Sequence, residues 1–257
     1  YKDFSFVSQD SSSYLRDLGH NDGLEQLIDA VEKIDGVKTA RILYLYPSTT
    51  THNLIDKIAD SKVFVNYFDM PLQHISQNML KIMKRGKGAE KLIELMNYMR
   101  SKPNSFVRTT FIAGHPGESE EDFEELCSFV EEFGFDRGNV FSYSDEEGTS
   151  AETRDDKIEQ ELIDERAEIL GDIISQTTIK SLENDIGKSF EVYIDGESEE
   201  HEYLLSARKT IWAPQIDGEI YINDNEDNIP IIFGEIYEVE ATELAGDKLL
   251  AKIIRKV

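Results

Sequence analysis

The sequence predicts an α/β protein in which a partial, TIM-like (βα) barrel is followed by a small all-β barrel. From the start to about residue 144, short β-rich runs alternate with amphipathic helical patterns, as in βα units around a parallel sheet. A long helical pattern at 155–182 ends this part. After Gly187 the chain changes to short alternating runs separated by acidic or Asp-Gly turns, which is typical of a small barrel. We therefore predict two domains, 1–184 and 185–257.

Five short runs rich in β-branched and aromatic residues are the predicted strands of the first domain. Because a helical pattern separates each run from the next, the strands are expected to lie parallel to one another. The predicted strands are residues 4–8, 39–45, 63–68, 106–112 and 139–143.

The helices between these strands are predicted from apolar stripes at helical spacing. Asp22 and Glu25 have the spacing of a capping box at the start of the first helix. Ser119 and Asp122 have the same spacing at the start of the last helix before residue 144. The stripes comprise Leu24, Leu27, Ile28 and Val31; Leu54, Ile55 and Ile58; Met79, Leu80 and Met83; Leu92, Leu95, Met96 and Met99; and Phe123, Leu126, Cys127 and Val130. The methionines and the cysteine are most simply core residues.

The remaining elements are predicted from one helical stripe and four alternating runs. For the long helix the predicted buried stripe is Ile158, Leu162, Ile169, Ile173 and Thr177. In the second domain the runs contain Phe190, Val192 and Ile194; Tyr203, Leu205 and Ala207; Ile220 and Ile222; and Leu249, Ala251 and Ile253. Their period of two predicts strands with one buried face.

Composition excludes several classes of protein. With 52 acidic and 27 basic residues in 257, the net charge of −25 disfavours binding to a phosphate backbone and favours a basic protein partner. A single cysteine, Cys127, allows neither an internal disulfide nor a cysteine-based metal site, and we expect no metal ligands in this chain. There is no membrane-spanning run and no secretion signal, so we expect a soluble, cytoplasmic protein.

The fourth predicted strand carries the strongest functional pattern. Its alternation places Arg108, Thr110 and Ile112 on one face, where a guanidinium, a hydroxyl and an aliphatic group suit a small polar ligand with an apolar ring. Gly114 and Gly117 follow, and their missing Cβ atoms let the backbone approach such a ligand. An ordinary βα connection can have the same GxxG pattern, so the turn alone does not predict a site.

Polar and turn-forming residues follow all five predicted strands, and in a βα barrel this is the edge where functional groups collect. They are residues 8–10, 47–48, 69–74, 114–118 and 142–149. Asp10 could instead cap a turn, and His74 could be a satisfied loop residue. The clustering nevertheless predicts one shared site more strongly than any single motif does.

Six sequence strings, in their order and spacing, resemble the radical S-adenosylmethionine (radical SAM) methylthiotransferases, and most closely the type that modifies ribosomal protein S-twelve. The strings are SQD at 8–10, LYLYPS at 43–48, DMPLQHIS at 69–76, KRG at 84–86, RTTFIAGHPGES at 108–119 and FSYSDEEGT at 141–149. The fourth strand and its turn resemble the GxIxGxxE motif of these enzymes, with Thr110 in place of the first glycine and Glu118 one position beyond the motif's glutamate. The tail from Gly187, which includes APQIDG at 213–218, resembles a TRAM domain with an OB-like barrel.

The resemblance implies a two-stage reaction on an aspartate of S-twelve. A 4Fe-4S cluster would cleave S-adenosylmethionine, the resulting radical would take hydrogen from the aspartate β-carbon, and a methylthio group would be installed with a second 4Fe-4S cluster. The resemblance also implies that the CxxxCxxC loop and an N-terminal domain precede Tyr1. This C-terminal fragment would then hold neither cluster and would be inactive alone.

The resemblance and the strand-end pattern together assign an S-adenosylmethionine site. The assigned cofactor-binding residues are Ser8, Gln9, Asp10, Gln73, Arg108, Thr110, Ile112, Gly114, Gly117, Glu118, Phe141, Ser142 and Tyr143. We expect Ile112 and the backbone at 141–143 to pack against the adenine. Gln9, Gln73 and Arg108 are expected to contact the ribose and the methionine carboxylate, for which Arg108 offers a bidentate guanidinium.

Two departures from the family pattern limit what can be carried over. His115 stands where phenylalanine is usual, which puts an aromatic packing contact in doubt. Trp212 and Gln215 replace acidic residues that are common in the TRAM strand, so detailed partner contacts are not carried over.

Three other functions are consistent with parts of the sequence. A tRNA methylthiotransferase would share the barrel and the cofactors, but SDEEGT at 144–149 and a tail with 17 acidic and 7 basic residues suit S-twelve or the small ribosomal subunit better than RNA. A binding module without chemistry would leave the polar strand ends unexplained. A phosphate-binding barrel enzyme would use 114–118 as its cradle, with Arg108 as the main cation.

Overall fold

The computed structural model describes residues 1–86, 88–225 and 228–257, and the chain divides into two compact units, Tyr1–Thr177 and Thr178–Val257. The domain boundary predicted between residues 184 and 185 stays a prediction. In the described part of the chain, no helix combines the length and the apolar character that crossing a membrane requires.

The first unit is built on one sheet of five parallel strands whose spatial order equals their chain order. The strands are β1 Asp3–Phe6, β2 Thr39–Ile42, β3 Phe64–Asp69, β4 Phe106–Ala113 and β5 Arg137–Ser142. Consecutive strands therefore lie side by side, as in part of a βα barrel, and the predicted fold class is confirmed. All five carboxyl ends meet at the same edge of the sheet.

Helices connect the strands and cover one face of the sheet. They are α1 Gly23–Val31, α2 His52–Ala59, α3 Gln77–Ile82, α4 Ala89–Arg100, α5 Glu120–Phe133 and α6 Gln160–Glu183, with short 3-10 turns at Ser11–Ser13 and Arg16–Leu18. The predicted stripes of α1 to α5 supply most of the hydrophobic core, including the methionines of α4. Those methionines are core residues, as predicted.

Strand β4 separates the core from a cavity on the opposite face of the sheet. Val107 and Phe111 are fully buried in the core beneath the helices, whereas Arg108, Thr110 and Ile112 line the cavity. The predicted alternation is confirmed. Burying a phenylalanine such as Phe111 contributes roughly 1.5–3 kcal/mol, which fixes the register of the strand and therefore the direction of its polar face.

One of the two predicted capping boxes forms. At α5, Ser119 Oγ accepts from the Asp122 backbone N–H at 3.1 Å and the Asp122 carboxylate accepts from the Ser119 N–H at 3.1 Å. At α1 the prediction is wrong, because Asp22 makes no side-chain cap. Its carboxylate accepts instead from Gln26 Nε2 at 3.0 Å, one helical turn further on.

Of the stripe predicted for α6, Thr177 is buried as predicted and Ile158 lies before the helix begins, but the other buried residues lie one position after the predicted ones. Leu162 and Ile169 are 38% and 42% exposed, whereas Ile163, Leu170 and Ile174 are at most 5% exposed. Each buried residue directly follows an apolar neighbour, so two adjacent stripes have the same helical spacing. Packing against the rest of the unit selects the second stripe.

The second unit contains a closed five-stranded barrel with the order β10-β8-β7-β6-β9. The strands are β6 Ser189–Glu197, β7 Leu205–Lys209, β8 Ile220–Asp224, β9 Ile236–Ala245 and β10 Lys248–Lys256. The predicted all-β barrel is confirmed, but β9 was not predicted. Its buried Tyr237, Val239 and Ala241 alternate with glutamates, which give the segment the composition of an acidic connection.

Candidate functional site

A cavity of about 1070 Å³ lies at the carboxyl ends of the five parallel strands in the first unit. Residues that follow each strand line it, because parallel strands deliver their carboxyl ends to one edge. The wall contains nine of the assigned cofactor residues: Gln9, Asp10, Gln73, Arg108, Thr110, Ile112, Phe141, Ser142 and Tyr143. The predicted convergence of the strand ends is therefore present in the structure.

Four assigned residues lie outside the wall of this cavity: Ser8, Gly114, Gly117 and Glu118. Ser8 Oγ lies 3.1 Å from Ser11 Oγ, in the turn after β1. After β2, Tyr44 and Tyr46 line the cavity, rather than the Pro47-Ser48 pair that the sequence favours.

Arg108 lies on the floor of the cavity in contact with a buried carboxylate. Its Nη1 is 3.4 Å from Asp69 Oδ1, and the Asp69 side chain is fully buried at the end of β3. Asp69 Oδ2 also accepts from the Tyr44 backbone N–H at 3.1 Å. In the amide orientation that satisfies its polar atoms, Asn139 Oδ1 accepts from Arg108 Nη2 at 2.8 Å. The guanidinium is thus held in place by β3 and β5 on either side of its own strand.

Gln73 presents an amide whose oxygen is unsatisfied. Its backbone extends the sheet, since its N–H donates to Thr110 O and its carbonyl accepts from Ile112 N–H, each at 2.9 Å. The Gln73 backbone has a φ of 70°, in the left-handed region, and this conformation sets the direction of the side chain. Gln73 Oε1 is buried and has no hydrogen-bond partner in the part of the chain that the structure describes. A ligand with a hydrogen-bond donor at this point would satisfy it.

Glu118 is buried behind the turn that follows β4. Its Oε2 accepts from the Gly114 N–H at 3.0 Å and from Arg166 Nη1 at 2.7 Å. On its other side, His74 Nε2 lies 3.3 Å from Oε1. His74 Nδ1 accepts the backbone N–H of Ile75 at 2.9 Å, so the ring proton belongs on Nε2, facing Glu118. Glu118 therefore stabilises the turn after β4 without lining the cavity.

His115 is the member of this turn that lines the cavity. Its ring packs edge-on against Tyr143, with ring centroids 5.0 Å apart, so an aromatic contact exists despite the replacement of the usual phenylalanine. Burial lowers the pKa of His115. Burial, followed by hydrogen bonding to Asp145 at 2.7 Å, raises the pKa of Tyr143 to about 12. Both rings are therefore neutral near pH 7 and form an apolar wall with polar edges.

Sequence reasoning did not assign two cations that line the cavity, Lys84 and Arg85. They follow α3 in the KRG string, and the Arg85 guanidinium lies 5.5 Å from the ring centroid of Tyr46. Lys84 has a φ of 56° and Gly86 a φ of 70°, so the chain turns sharply here. The sequence feature that could have identified them is the pair of adjacent basic residues directly before Gly86.

Side chains that could bind a metal do not cluster in the part of the chain that the structure describes. In residues 1–86, 88–225 and 228–257, no group of three or more His, Cys, Asp or Glu side chains could hold a metal ion. Cys127 lies half-buried on α5, and burial raises its pKa to about 11. One protonated thiol does not match the several thiolates of a 4Fe-4S cluster. The residues present therefore do not fit such a cluster.

Two family profiles match the sequence: the radical SAM superfamily at residues 6–130 and the TRAM domain at residues 186–254. The first covers β2 to β4 and most of α5, and the second covers nearly all of the closed barrel. Among solved structures, the chain is similar to coproporphyrinogen III oxidase (HemN) from Escherichia coli, described as a radical SAM enzyme. The TM-score is 0.42 at 16% identity, over 71% of this chain and 52% of that chain.

The chain also matches curated relatives along its whole length. It is 78% identical over 257 residues to the ribosomal protein uS12 methylthiotransferase RimO of Aliarcobacter butzleri (strain RM4018), covering 99% of this chain and 58% of the relative. The enzyme of the same name from Sulfurovum sp. (strain NBC37-1) is 60% identical over 256 residues, covering 100% and 58%. The chain thus spans somewhat more than half the length of these relatives. The chain is thus similar to RimO methylthiotransferases along its whole length, and it carries a radical SAM domain and a TRAM domain.

Proposed function

We propose that this chain supplies the S-adenosylmethionine site of a radical SAM methylthiotransferase that acts on the β-carbon of an aspartate of ribosomal protein uS12 (S-twelve). The observation that supports this most directly is the cavity into which five strand ends bring nine of the assigned residues. The names of the relatives support the substrate. A ribosomal substrate would place the reaction in the cytoplasm.

The cavity wall fits S-adenosylmethionine in its donor and acceptor groups. Gln73 Oε1, buried and without a partner among the described residues, would accept from a ribose hydroxyl or from the methionine amino group. Ile112 and Phe141 offer apolar surface for the adenine. Arg108 would bind the methionine carboxylate while still in contact with Asp69, because a guanidinium has five N–H donors.

The protein's part in the reaction is binding and orientation. When bound and reductively cleaved, S-adenosylmethionine supplies the radical chemistry that an unactivated C–H bond requires. Arg108, held by Asp69, fixes the anionic end of the cofactor, and the Glu118 network holds the turn that carries His115. The cluster thiolates would come from outside these residues, since the chain has one cysteine.

The second unit would meet the protein substrate through its acidic surface. Of the seven basic residues at 185–257, five are paired with carboxylates: Arg208 with Asp195, Lys209 with Asp185, Lys248 with Glu200 and Glu219, Lys252 with Glu240, and Arg255 with Glu238. Pairing leaves little positive potential for RNA phosphates, whereas the excess of carboxylates complements a basic ribosomal protein.

Substituting Arg108 tests the cofactor site. We expect Arg108→Ala to weaken S-adenosylmethionine binding by about 10- to 100-fold, because a hydrogen bond to a charged group contributes about 1.5–3 kcal/mol. Arg108→Lys keeps the positive charge but not the bidentate guanidinium. We expect its affinity for S-adenosylmethionine to lie between those of the wild type and Arg108→Ala. Isothermal titration calorimetry on the 257-residue chain measures both. Arg100→Ala, whose ion pair with Asp136 lies outside the cavity wall, is the matched control. Unchanged binding by Arg108→Ala would refute the assignment.

The salt dependence of partner binding distinguishes a protein substrate from an RNA substrate. We expect this chain to bind purified uS12 at low salt, with an affinity that falls as salt rises because exposed charges are screened. We expect no binding to tRNA at the same salt. Biolayer interferometry with immobilised uS12 and with tRNA measures both. Tight tRNA binding near physiological salt would favour the tRNA methylthiotransferase instead.

A further inference from the structure

Two cations at the solvent-accessible side of the cavity are not used by the proposed cofactor site. Lys84 is exposed and Arg85 is half-buried, and both line the cavity. Within the described residues, neither has a carboxylate at ion-pair distance, although the molecule has a net charge of −25. Their position in a cavity, rather than the absence of a carboxylate partner alone, points to an anionic ligand group.

The acidic side chains of the cavity wall do not neutralise these cations. The wall contains Asp10 and Glu146. Asp10 accepts instead from Ser12 Oγ at 2.8 Å and Ser13 Oγ at 2.5 Å, in the turn after β1. Glu146 lies in the exposed loop after β5. A bound carboxylate would consequently meet two cations that form no ion pair with a described residue.

The segment that carries the two cations is held in place. The Arg85 guanidinium lies over the Tyr46 ring, 5.5 Å from its centroid. The Arg85 backbone N–H donates to Leu80 O at 2.9 Å, which closes the end of α3. A Cβ added to Gly86 would lie 2.5 Å from Ser48 Oγ, so this loop packs closely against the one after β2. The arrangement is therefore built into the fold.

The cavity has room for a second group beside the cofactor. Its volume of about 1070 Å³ exceeds the ~300–1,000 Å³ typical of a site for one small ligand. Arg108 is 8% exposed on the floor, whereas Lys84 is exposed at the solvent side. A side chain carried on a macromolecule must enter from the solvent side, where Lys84 is one of the exposed residues of the wall.

We infer that Lys84 and Arg85 form an anion subsite that binds the carboxylate of the substrate aspartate. This inference rests on the proposed function and adds the residues that determine substrate specificity. Holding the carboxylate fixes the adjacent β-carbon relative to the cofactor, which is what a reaction at that carbon requires. An asparagine at the same place would lose the charge-assisted contacts.

A binding experiment on this chain tests the subsite without catalysis. In the presence of saturating S-adenosylmethionine, we expect N-acetyl-L-aspartate N-methylamide to bind about tenfold more tightly than the asparagine analogue. In the double variant Lys84→Gln/Arg85→Gln this preference should disappear, while the S-adenosylmethionine Kd changes by less than about twofold. Arg85→Lys should keep most of the preference, and Lys81→Gln, on the exposed side of α3, is the control. Chemical-shift titration gives the affinities.

Two results would overturn the subsite. One is equal affinity of the wild-type chain for the two probes. The other is an aspartate preference that survives in the double variant while S-adenosylmethionine binding weakens about tenfold, because the cations would then serve the cofactor.

An activity measurement separates the subsite from the proposed function. In a chimera in which this chain replaces the matching segment of the Aliarcobacter butzleri relative, we expect the double variant to lower kcat/KM for uS12 by about tenfold. Mass spectrometry of uS12 detects the modification. Full activity of the double variant would refute the subsite and leave the proposed function standing. A wild-type chimera that modifies no uS12, although the chain still prefers the aspartate probe, would refute the function and leave the subsite standing.

Discussion

Arg166→Met is expected to destabilise the first unit by about 3–5 kcal/mol, because it leaves the buried Glu118 carboxylate without its cation. The Arg166 side chain is 4% exposed and the Glu118 side chain fully buried, with 2.7 Å between Nη1 and Oε2. Urea unfolding followed by far-ultraviolet circular dichroism measures the loss. This signal comes mainly from the helices, whereas the fluorescence of Trp212 reports the second unit separately.

Two further variants show whether the unpaired charge is the cause. In Arg166→Met/Glu118→Gln neither member of the buried pair is charged and the Gly114 N–H keeps an acceptor, so the double variant should be more stable than Arg166→Met alone. Arg255→Met removes the cation of an exposed pair with Glu238, where the Arg255 side chain is 69% exposed, and should change stability little. A loss for Arg166→Met no larger than that for Arg255→Met would contradict the prediction.

Gly114→Ala is expected to destabilise the first unit by about 2–5 kcal/mol, the sum of backbone strain and steric overlap. Gly114 has a φ of 80°, a conformation in which an L-residue is strained. Its added Cβ would also lie 2.6 Å from Cγ1 and 2.9 Å from Cβ of Ile163, a buried and β-branched side chain. The same urea unfolding experiment measures the effect.

Gly134→Ala separates the two contributions to the Gly114 effect. Gly134 ends α5 with a φ of 66°, and a Cβ there would meet no atom within 4 Å, so only the backbone strain of about 1–2 kcal/mol is expected. Removing the Ile163 side chain should in turn recover part of the loss, so Gly114→Ala/Ile163→Ala should be less destabilised than the sum of the single changes. Equal losses for Gly114→Ala and Gly134→Ala would show that the turn yields without contacting Ile163.

Local patterns were sufficient to predict most of the secondary structure. The five parallel strands, the helices α1 to α5 and the two faces of β4 follow from periods of 2 and 3.6, which depend on near neighbours in the chain. The edge at which the site lies also follows, because the carboxyl ends of parallel strands converge once helices connect them. The spacing of two positions between Arg108 and Thr110 was therefore enough to place Arg108 on the cavity face of β4.

The prediction for α6 failed in part, and β9 was missed, because the local sequence does not show which residues the rest of the fold buries. Leu162 and Ile163 are adjacent and apolar, so both stripes of α6 have helical spacing. Packing against other segments, which include the turn at Gly114, buries Ile163. In β9 the glutamates on one face concealed a strand whose other face is buried in the barrel. In each case the local sequence shows the hydrophobic period, but neighbouring elements of the fold decide which face is buried.

By itself, the sequence determined the fold class, the order of the strands and the edge of the sheet where the cavity lies. Tertiary structure decided what the polar residues there do: it set Arg108 against Asp69, left Lys84 and Arg85 without carboxylate partners among the described residues, and drew Glu118 away from the cavity to Arg166, 48 positions further along the chain. The physical reason is the difference between separation along the chain and distance in space. Periodicity arises between residues a few positions apart, whereas ion pairing and burial depend on distances in space between segments that the sequence does not bring together.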